Sequence, residues 1–273
     1  MWIILVATGA VSAVLTALLN GYTGFSWFLI APLFLGYTAA ALILSFVFAF
    51  IVTAPIDINK PVKKPSAFYG FLYNLFNDFL CSLAGIKIEI TGGELLSEDQ
   101  TYLFVYNHRS NFDPMLISKY FKRYKVLMVS KPQNFKKPLA GKCIHKVGFM
   151  AIDRDNDREA IKTIVKAADY LKQGYSVAIS PEGTRNKNGT DLLPFRNGSF
   201  KIATKAKAPI CVMCFNGTEK ISKNFPLKRT VVTLDVLKVI NAEDYQGLTT
   251  AEIGEKVRFI MSDDILKRNR SDV

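Results

Sequence analysis

Two histidines occur in the 273 residues, and one of them, His108, lies in a segment whose side chains could move a proton. The segment reads Asn107-His108-Arg109-Ser110-Asn111-Phe112-Asp113-Pro114. On one continuous helix a residue five positions away stands about 140° around the axis, so His108 and Asp113 could not touch there. Asp113 before Pro114, however, is the pairing of a helix N-cap with a first-turn proline. It starts a helix at Asp113 and leaves His108 in the loop before it. Such a loop can fold back and bring imidazole to carboxylate. The carboxylate would then fix the tautomer of a neutral imidazole and leave the other ring nitrogen free to take a proton from an alcohol. That is the base and orienter of a hydrolase triad, with no serine beside them in sequence. The same spacing is equally met by an Asp that only caps its helix and a histidine that only lines a loop.

A second segment, Ile179-Ser180-Pro181-Glu182-Gly183-Thr184-Arg185, ends a predicted strand. Gly183 permits close backbone approach or a positive φ, Thr184 offers a hydroxyl, and Arg185 offers a planar fork of donors suited to a phosphate. A third, Gly148-Phe149-Met150-Ala151-Ile152-Asp153-Arg154, sets Arg154 just past another strand. One such arginine is usually a solvated surface charge; two at strand ends on the same side of one sheet imply an anion pocket. Cys211 and Cys214 sit in the apolar run Pro209–Phe215, where a strand sends positions i and i+3 to opposite faces. A zinc site would need two more ligands, and only His108 and His145 exist, so these read as ordinary cysteines of a reducing compartment.

The elements that must position these loops alternate from Ile86 onward. Candidate strands are Ile86–Thr91, Tyr102–Tyr106, Lys125–Ser130, Phe149–Ile152, Ser176–Ser180, Ile210–Phe215 and Val231–Val239. Between and after them, Pro114–Phe121, Lys137–His145, Arg158–Lys172, Ser199–Lys205 and Ala251–Arg268 read as helices. This alternation predicts a single α/β domain around a largely parallel sheet with helices packed on it, whose functional loops leave the carboxyl ends of the strands.

The N-terminus is of another kind. All 58 charged side chains lie in the last 217 residues, Asp57 being the first. Met1–Leu19 and Trp27–Thr53 carry no charge and flank the turn-like, aromatic connector Asn20–Ser26. A crossing needs about 20 residues of helix, so the second run is long enough and the first just so. The expectation is a membrane hairpin over residues 1–56. A cleaved signal peptide fits less well, since a basic n-region is missing and a second apolar run follows. A hairpin lying within one leaflet remains equally open. Lys60, Lys63 and Lys64 after the second run place the remainder on the cytoplasmic face. Residues 57–85 form a connector whose stripe Phe68, Leu72, Leu75, Phe76, Phe79 and Leu83 suits either a core helix or a bilayer-surface helix. Residues 86–273 make the α/β domain. The formal charge of +12 goes with scattered lysines and no nucleic-acid motif, so an anionic lipid surface is the expected partner rather than nucleic acid.

Asn107-His108-x-x-x-x-Asp113, Gly148–Arg154, Pro181-Glu182-Gly183-Thr184-Arg185 and the apolar stretch around Pro209 resemble, in order and rough spacing, the four sequence blocks of the glycerolipid acyltransferases. The resemblance covers roughly residues 60–240 and is greatest to bacterial 1-acylglycerol-3-phosphate acyltransferases. It departs where Met150 and Ala151 replace bulkier residues, and where Cys211-Val212-Met213-Cys214 follows Pro209 without a second proline.

The resemblance implies that His108 is the general base and Asp113 its partner. It further implies that Arg154, Glu182, Gly183, Thr184 and Arg185 shape the acceptor site, with Lys131 a further phosphate contact. The implied reaction passes a fatty acyl group from an acyl thioester to the free sn-2 hydroxyl of lysophosphatidic acid, giving phosphatidic acid. The donor would be acyl coenzyme A or acyl carrier protein, and neither metal nor redox cofactor would be needed. Two alternatives stand beside it: an acyltransferase acting on glycerol 3-phosphate or another lysophospholipid, and a membrane-surface module that binds lipid without catalysis.

Overall fold

Residues 2–22, 28–186 and 191–271 are described by a computed structural model; residues 23–26 of the expected connector and residue 27, the first of the second apolar run, lie outside them. Helix α1 spans Trp2–Leu19 and α2 Ile30–Thr53. Small residues bring them together: Ala13 and Ala17 are buried, a Cβ added at Gly9 would collide with Thr38, and the Thr16 and Tyr37 hydroxyls hydrogen-bond at 2.8 Å. At about 1.5 Å per residue the 24 residues of α2 run about 36 Å, more than the roughly 30 Å hydrocarbon core. Among the described residues α2 alone is long and apolar enough to cross a membrane; the apolar run of α1, Ile3–Leu19, is shorter. Leu44, Phe50 and Ile51 of α2 face outward, and this uncovered apolar helix marks the protein as membrane-associated.

Helix α3 (Ala67–Leu83) starts at Ser66, whose hydroxyl accepts from the Tyr69 N–H. Its inward face is not the stripe read from the sequence. Tyr69, Tyr73, Asn77 and Cys81, spaced by four, face the protein, and Asn77 donates to the Met115 carbonyl at 2.8 Å. Phe68, Phe71 and Leu83 are exposed, and Phe76 meets Phe46 of α2 edge-on. The polar group wins an inward place because it has a buried backbone carbonyl to satisfy.

The chain then runs β1 (Ile86–Thr91), β2 (Leu103–Tyr106), α4 (Phe112–Tyr120), β3 (Leu127–Ser130), α5 (Pro132–Phe135), α6 (Ala140–Val147) and β4 (Met150–Ala151). It continues through α7 (Asp157–Lys172), β5 (Val177–Ile179), α8 (Lys201–Ala206), β6 (Ile210–Asn216), α9 (Ile221–Asn224), β7 (Thr230–Ile240) and α10 (Thr250–Ser271). All seven expected strands form: β1 keeps its expected bounds, β2 to β5 are shorter, and β6 and β7 run one residue further, β7 at both ends. Their order is β1-β7-β6-β2-β5-β3-β4, and every pair is parallel except β6 with β7. The expected α/β architecture with a largely parallel sheet therefore holds. Helix α7 begins at the Asn156 cap, and α10 at a reciprocal pair in which Thr249 and Glu252 each accept from the other's N–H. The short helices α5 and α9 have no counterpart in the sequence reading.

Strand β2 lies between β5 and β6 at the centre, and Leu103, Phe104 and Val105 are fully buried. Tyr106 pairs with Met213 of β6, and Val105 with Ile179 of β5. The loops after β2 and β5 thus leave the same sheet end side by side. The pairing of Ser130 with Ala151 brings Lys131 and the segment up to Arg154 to that end as well.

Candidate active site

The loop after β2 does fold back. His108 Nδ1 lies 2.9 Å from Asp113 Oδ2, and the same oxygen accepts the backbone N–H groups of Arg109 and Ser110, each at 2.7 Å. Asp113 is fully buried and His108 partly exposed. With Nδ1 held by the carboxylate, Nε2 is left as the proton acceptor. The helix boundary differs from expectation: α4 begins at Phe112, with Asn111 before it making no side-chain cap. Asp113 therefore sits within the first turn and turns its carboxylate back into the loop. There it gathers three donors, so it orders the loop rather than capping a helix.

Three further contacts hold this loop. The Asn107 side chain pairs with the backbone of Phe215 in β6, donating to its carbonyl at 2.9 Å and accepting its N–H at 2.7 Å. Glu182 Oε1 accepts the His108 N–H at 2.7 Å, and the Asn186 N–H donates to the His108 carbonyl at 2.7 Å. Arg109 meets Glu219, beyond β6, at 3.2 Å. Tyr106 sets its ring edge-on to His108 with centroids 6.1 Å apart, and burial, then the Asp113 charge, pushes its phenol well above the ordinary value.

The basic side chains gather on the loop after β5. Arg154 Nη2 donates to the Ser180 carbonyl at 3.4 Å, and its buried Nη1 has no partner among the described residues. Lys131 Nζ donates to the Thr184 hydroxyl at 3.2 Å. Gly183 has a φ of 72°, in the left-handed region, and a Cβ there would run into the Arg154 guanidinium. Thr184 and Arg185 are exposed at the loop's tip. Burial, and after it the like charge of Arg196, pushes the Arg154 pKa below its usual value. The Arg196 N–H donates to the Pro181 carbonyl at 2.8 Å, which anchors it beside the same loop. Among the described residues none of Lys131, Arg154, Arg185 and Arg196 pairs with a carboxylate. Unpaired cations around one loop make a place for an anion.

The structure thus brings His108, Asp113, Lys131, Arg154, Glu182, Gly183, Thr184 and Arg185 to one sheet end. Glu182 stands apart from the others in orientation, since it faces inward with both oxygens on backbone N–H groups. Arg196 and the backbone-holding part of Asn107 escaped the sequence reading; Pro194-Phe195-Arg196 carries no local pattern that would single out its arginine. Cys211 and Cys214 are buried in β6, and burial pushes the Cys214 thiol up to about 12.

Comparison with known proteins shows what this chain is similar to. Residues 87–216 match the family described as Acyltransferase. A 1-acyl-sn-glycerol-3-phosphate acyltransferase of Salmonella typhimurium is 27% identical over 193 residues, covering 70% of this chain and 78% of that protein. A chloroplastic 1-acyl-sn-glycerol-3-phosphate acyltransferase of Brassica napus is 34% identical over 136 residues, 50% of this chain and 39% of its own. The crystal structure of the 1-acyl-sn-glycerophosphate acyltransferase PlsC from Thermotoga maritima shares the fold, with a TM-score of 0.59 at 20% identity over 73% of this chain and 79% of that one. With its histidine and aspartate joined beside an unpaired basic loop, this chain is similar over residues 87–216 to the acyltransferases, the 1-acyl-sn-glycerol-3-phosphate acyltransferases among them.

Proposed function

We propose that the protein transfers a fatty acyl group from an acyl thioester to the free sn-2 hydroxyl of 1-acyl-glycerol 3-phosphate, giving phosphatidic acid for phospholipid synthesis. The observation that carries this reading is the His108–Asp113 couple at 2.9 Å beside a loop ringed by unpaired cations. His108 Nε2 takes the hydroxyl proton as the oxygen attacks the thioester carbonyl carbon, and Asp113 stabilises the imidazolium that forms. The tetrahedral intermediate collapses with cleavage of the C–S bond, and the imidazolium returns its proton to the departing thiolate. Lys131, Arg154, Thr184, Arg185 and Arg196 hold the acceptor phosphate, while Gly183 leaves room for the Arg154 guanidinium. The donor is acyl coenzyme A or acyl carrier protein.

In the same reading, residues 1–56 anchor the chain, 57–85 connect, and 86–273 carry the chemistry. The junction favours such an arrangement: Tyr69 Oη donates to the Val52 carbonyl at 2.8 Å and Lys142 Nζ to the Ala54 carbonyl at 2.7 Å, which ties α3 and α6 to the end of α2. Lys60, Lys63 and Lys64 after α2 support a site on the cytoplasmic face, against an anionic lipid surface. The test is an assay of the purified protein with lysophosphatidic acid or glycerol 3-phosphate, each with both thioester donors. Thiol release and phosphatidic acid are expected from the first acceptor alone. Turnover of glycerol 3-phosphate only would move the protein to that acceptor, and binding without thiol release would make it a lipid-binding module.

A further inference from the structure

Glu182 belongs to the loop whose other members face the anion, yet its carboxylate points the opposite way. It is buried, with Oε1 accepting the His108 N–H at 2.7 Å and Oε2 the Leu193 N–H at 3.0 Å. A carboxylate turned toward a phosphate would repel it; turned inward, it spares the anion and satisfies two buried donors. The same loop grips His108 again through the Asn186 N–H on its carbonyl, at 2.7 Å. The backbone of His108 is therefore fixed on both sides by residues 182 and 186, while Asp113 fixes its ring.

We infer that Glu182 is a positioning residue for His108, setting the imidazole at a fixed distance from the anion-binding loop. One rigid side chain spans the two loops, so the place of the base is tied to the place of the phosphate. Displacing a catalytic group by about 1 Å can cost 10²-fold in rate with little effect on binding, which separates this role from contact with the acceptor. The kinetic consequence rests on the acyl-transfer reading above; the structural one does not.

Glu182→Gln tests both. The carboxamide keeps the shape but sets an NH2 group against one of the two N–H donors. Turnover is expected to fall about 10- to 100-fold, with the Michaelis constant for lysophosphatidic acid within about threefold of wild type. The protein's two histidines allow a reading without substrate. In Glu182→Gln the His108 ring resonances of isotope-labelled protein should shift or broaden, while those of His145, held by the Lys60 carbonyl 3.0 Å away, should stay. A Michaelis constant raised tenfold or more with turnover preserved, or an unmoved His108 signal, would overturn the inference. Should the His145 signal be lost too, the variant is unfolded. Glu182→Asp, which keeps the charge and shortens the reach, then decides by the same division between turnover and Michaelis constant. A wild-type enzyme inactive on lysophosphatidic acid would sink the functional reading and leave the resonance test standing.

Discussion

On α2, Leu44 is 66% exposed and Phe50 61%, whereas on β2 Leu103 and Phe104 are fully buried. Both segments are apolar; what differs is what covers them. Strand β2 has neighbours on both edges, and Phe104 packs on Phe121 and Tyr124 at ring distances of 5.4 and 5.7 Å. Helix α2 has one covered stripe, against α1, and an outer surface that water would penalise by about 25 cal/mol per Å². Hydrophobic content is therefore two quantities in this protein, a core and an anchor, and they respond to different solvents. The regions join where α3 and α6 hold the last third of α2 through Tyr69, Phe76 and Lys142. A substitution that acts on one region should leave the other's observable unmoved.

The largest separation is expected from His108→Ala, which should lower turnover about 10²- to 10⁴-fold. Membrane association should be unchanged, as checked by steady-state kinetics alongside vesicle flotation. Next comes deletion of apolar bulk in each region. Phe104→Ala should cost about 3–5 kcal/mol of unfolding free energy in detergent solution, and Leu44→Ala less than about 0.5 kcal/mol. Equal losses in the two denaturation curves would dissolve the distinction between core and anchor.

Leu44→Arg, near the middle of α2, should weaken insertion by about 2.5–3.5 kcal/mol. The fraction of protein floating with vesicles should drop while the thiol-release rate per detergent-soluble molecule holds. Within the catalytic region, Arg185→Ala removes charge-assisted bonds to phosphate worth about 1.5–3 kcal/mol, which is about 10- to 150-fold in the Michaelis constant for lysophosphatidic acid. The constant for the thioester should stay. If turnover vanished instead and the acceptor constant held, Arg185 would not be a phosphate ligand.

The two regions also differ in how legible they were. Strands β2, β5 and β6 could be read because buried strands are short apolar runs closed by turn residues, β7 because its burial alternates, and α2 because an uncharged run of that length has few other uses. His108 and Asp113 could be read because they are five residues apart and meet within one loop. The inward face of α3 could not, since Asn77 turns inward only because the Met115 carbonyl waits there. Nor could the partners of Glu182: one lies 74 residues away, and both are backbone N–H groups that any residue except proline would supply. Periodicity reports which solvent a side chain meets, whereas side-chain-to-backbone bonds across loops leave no trace in composition.

The smallest effect expected is a pH slope, and it concerns Glu182. Burial raises its pKa, outweighing the opposing pull of the His108 and Leu193 N–H groups and of the His108 charge, while Asp113 nearby adds to the rise. In the unfolded chain the carboxyl has the ordinary value near 4.3. Between that value and the raised one the folded state holds a proton that the unfolded state has released. Its contribution to stability is thus complete below the ordinary value and is lost as pH climbs through the raised one. The clamp on His108 runs the other way, because only the ionised carboxylate accepts both N–H groups without presenting an O–H to one of them. Over one pH window stability should therefore fall while turnover rises. Glu182→Gln, which does not titrate, should flatten the difference in Tm across that window relative to wild type. A wild-type-minus-variant Tm curve that is level, or that climbs with pH, would mean that burial does not make Glu182 retain its proton above the ordinary value.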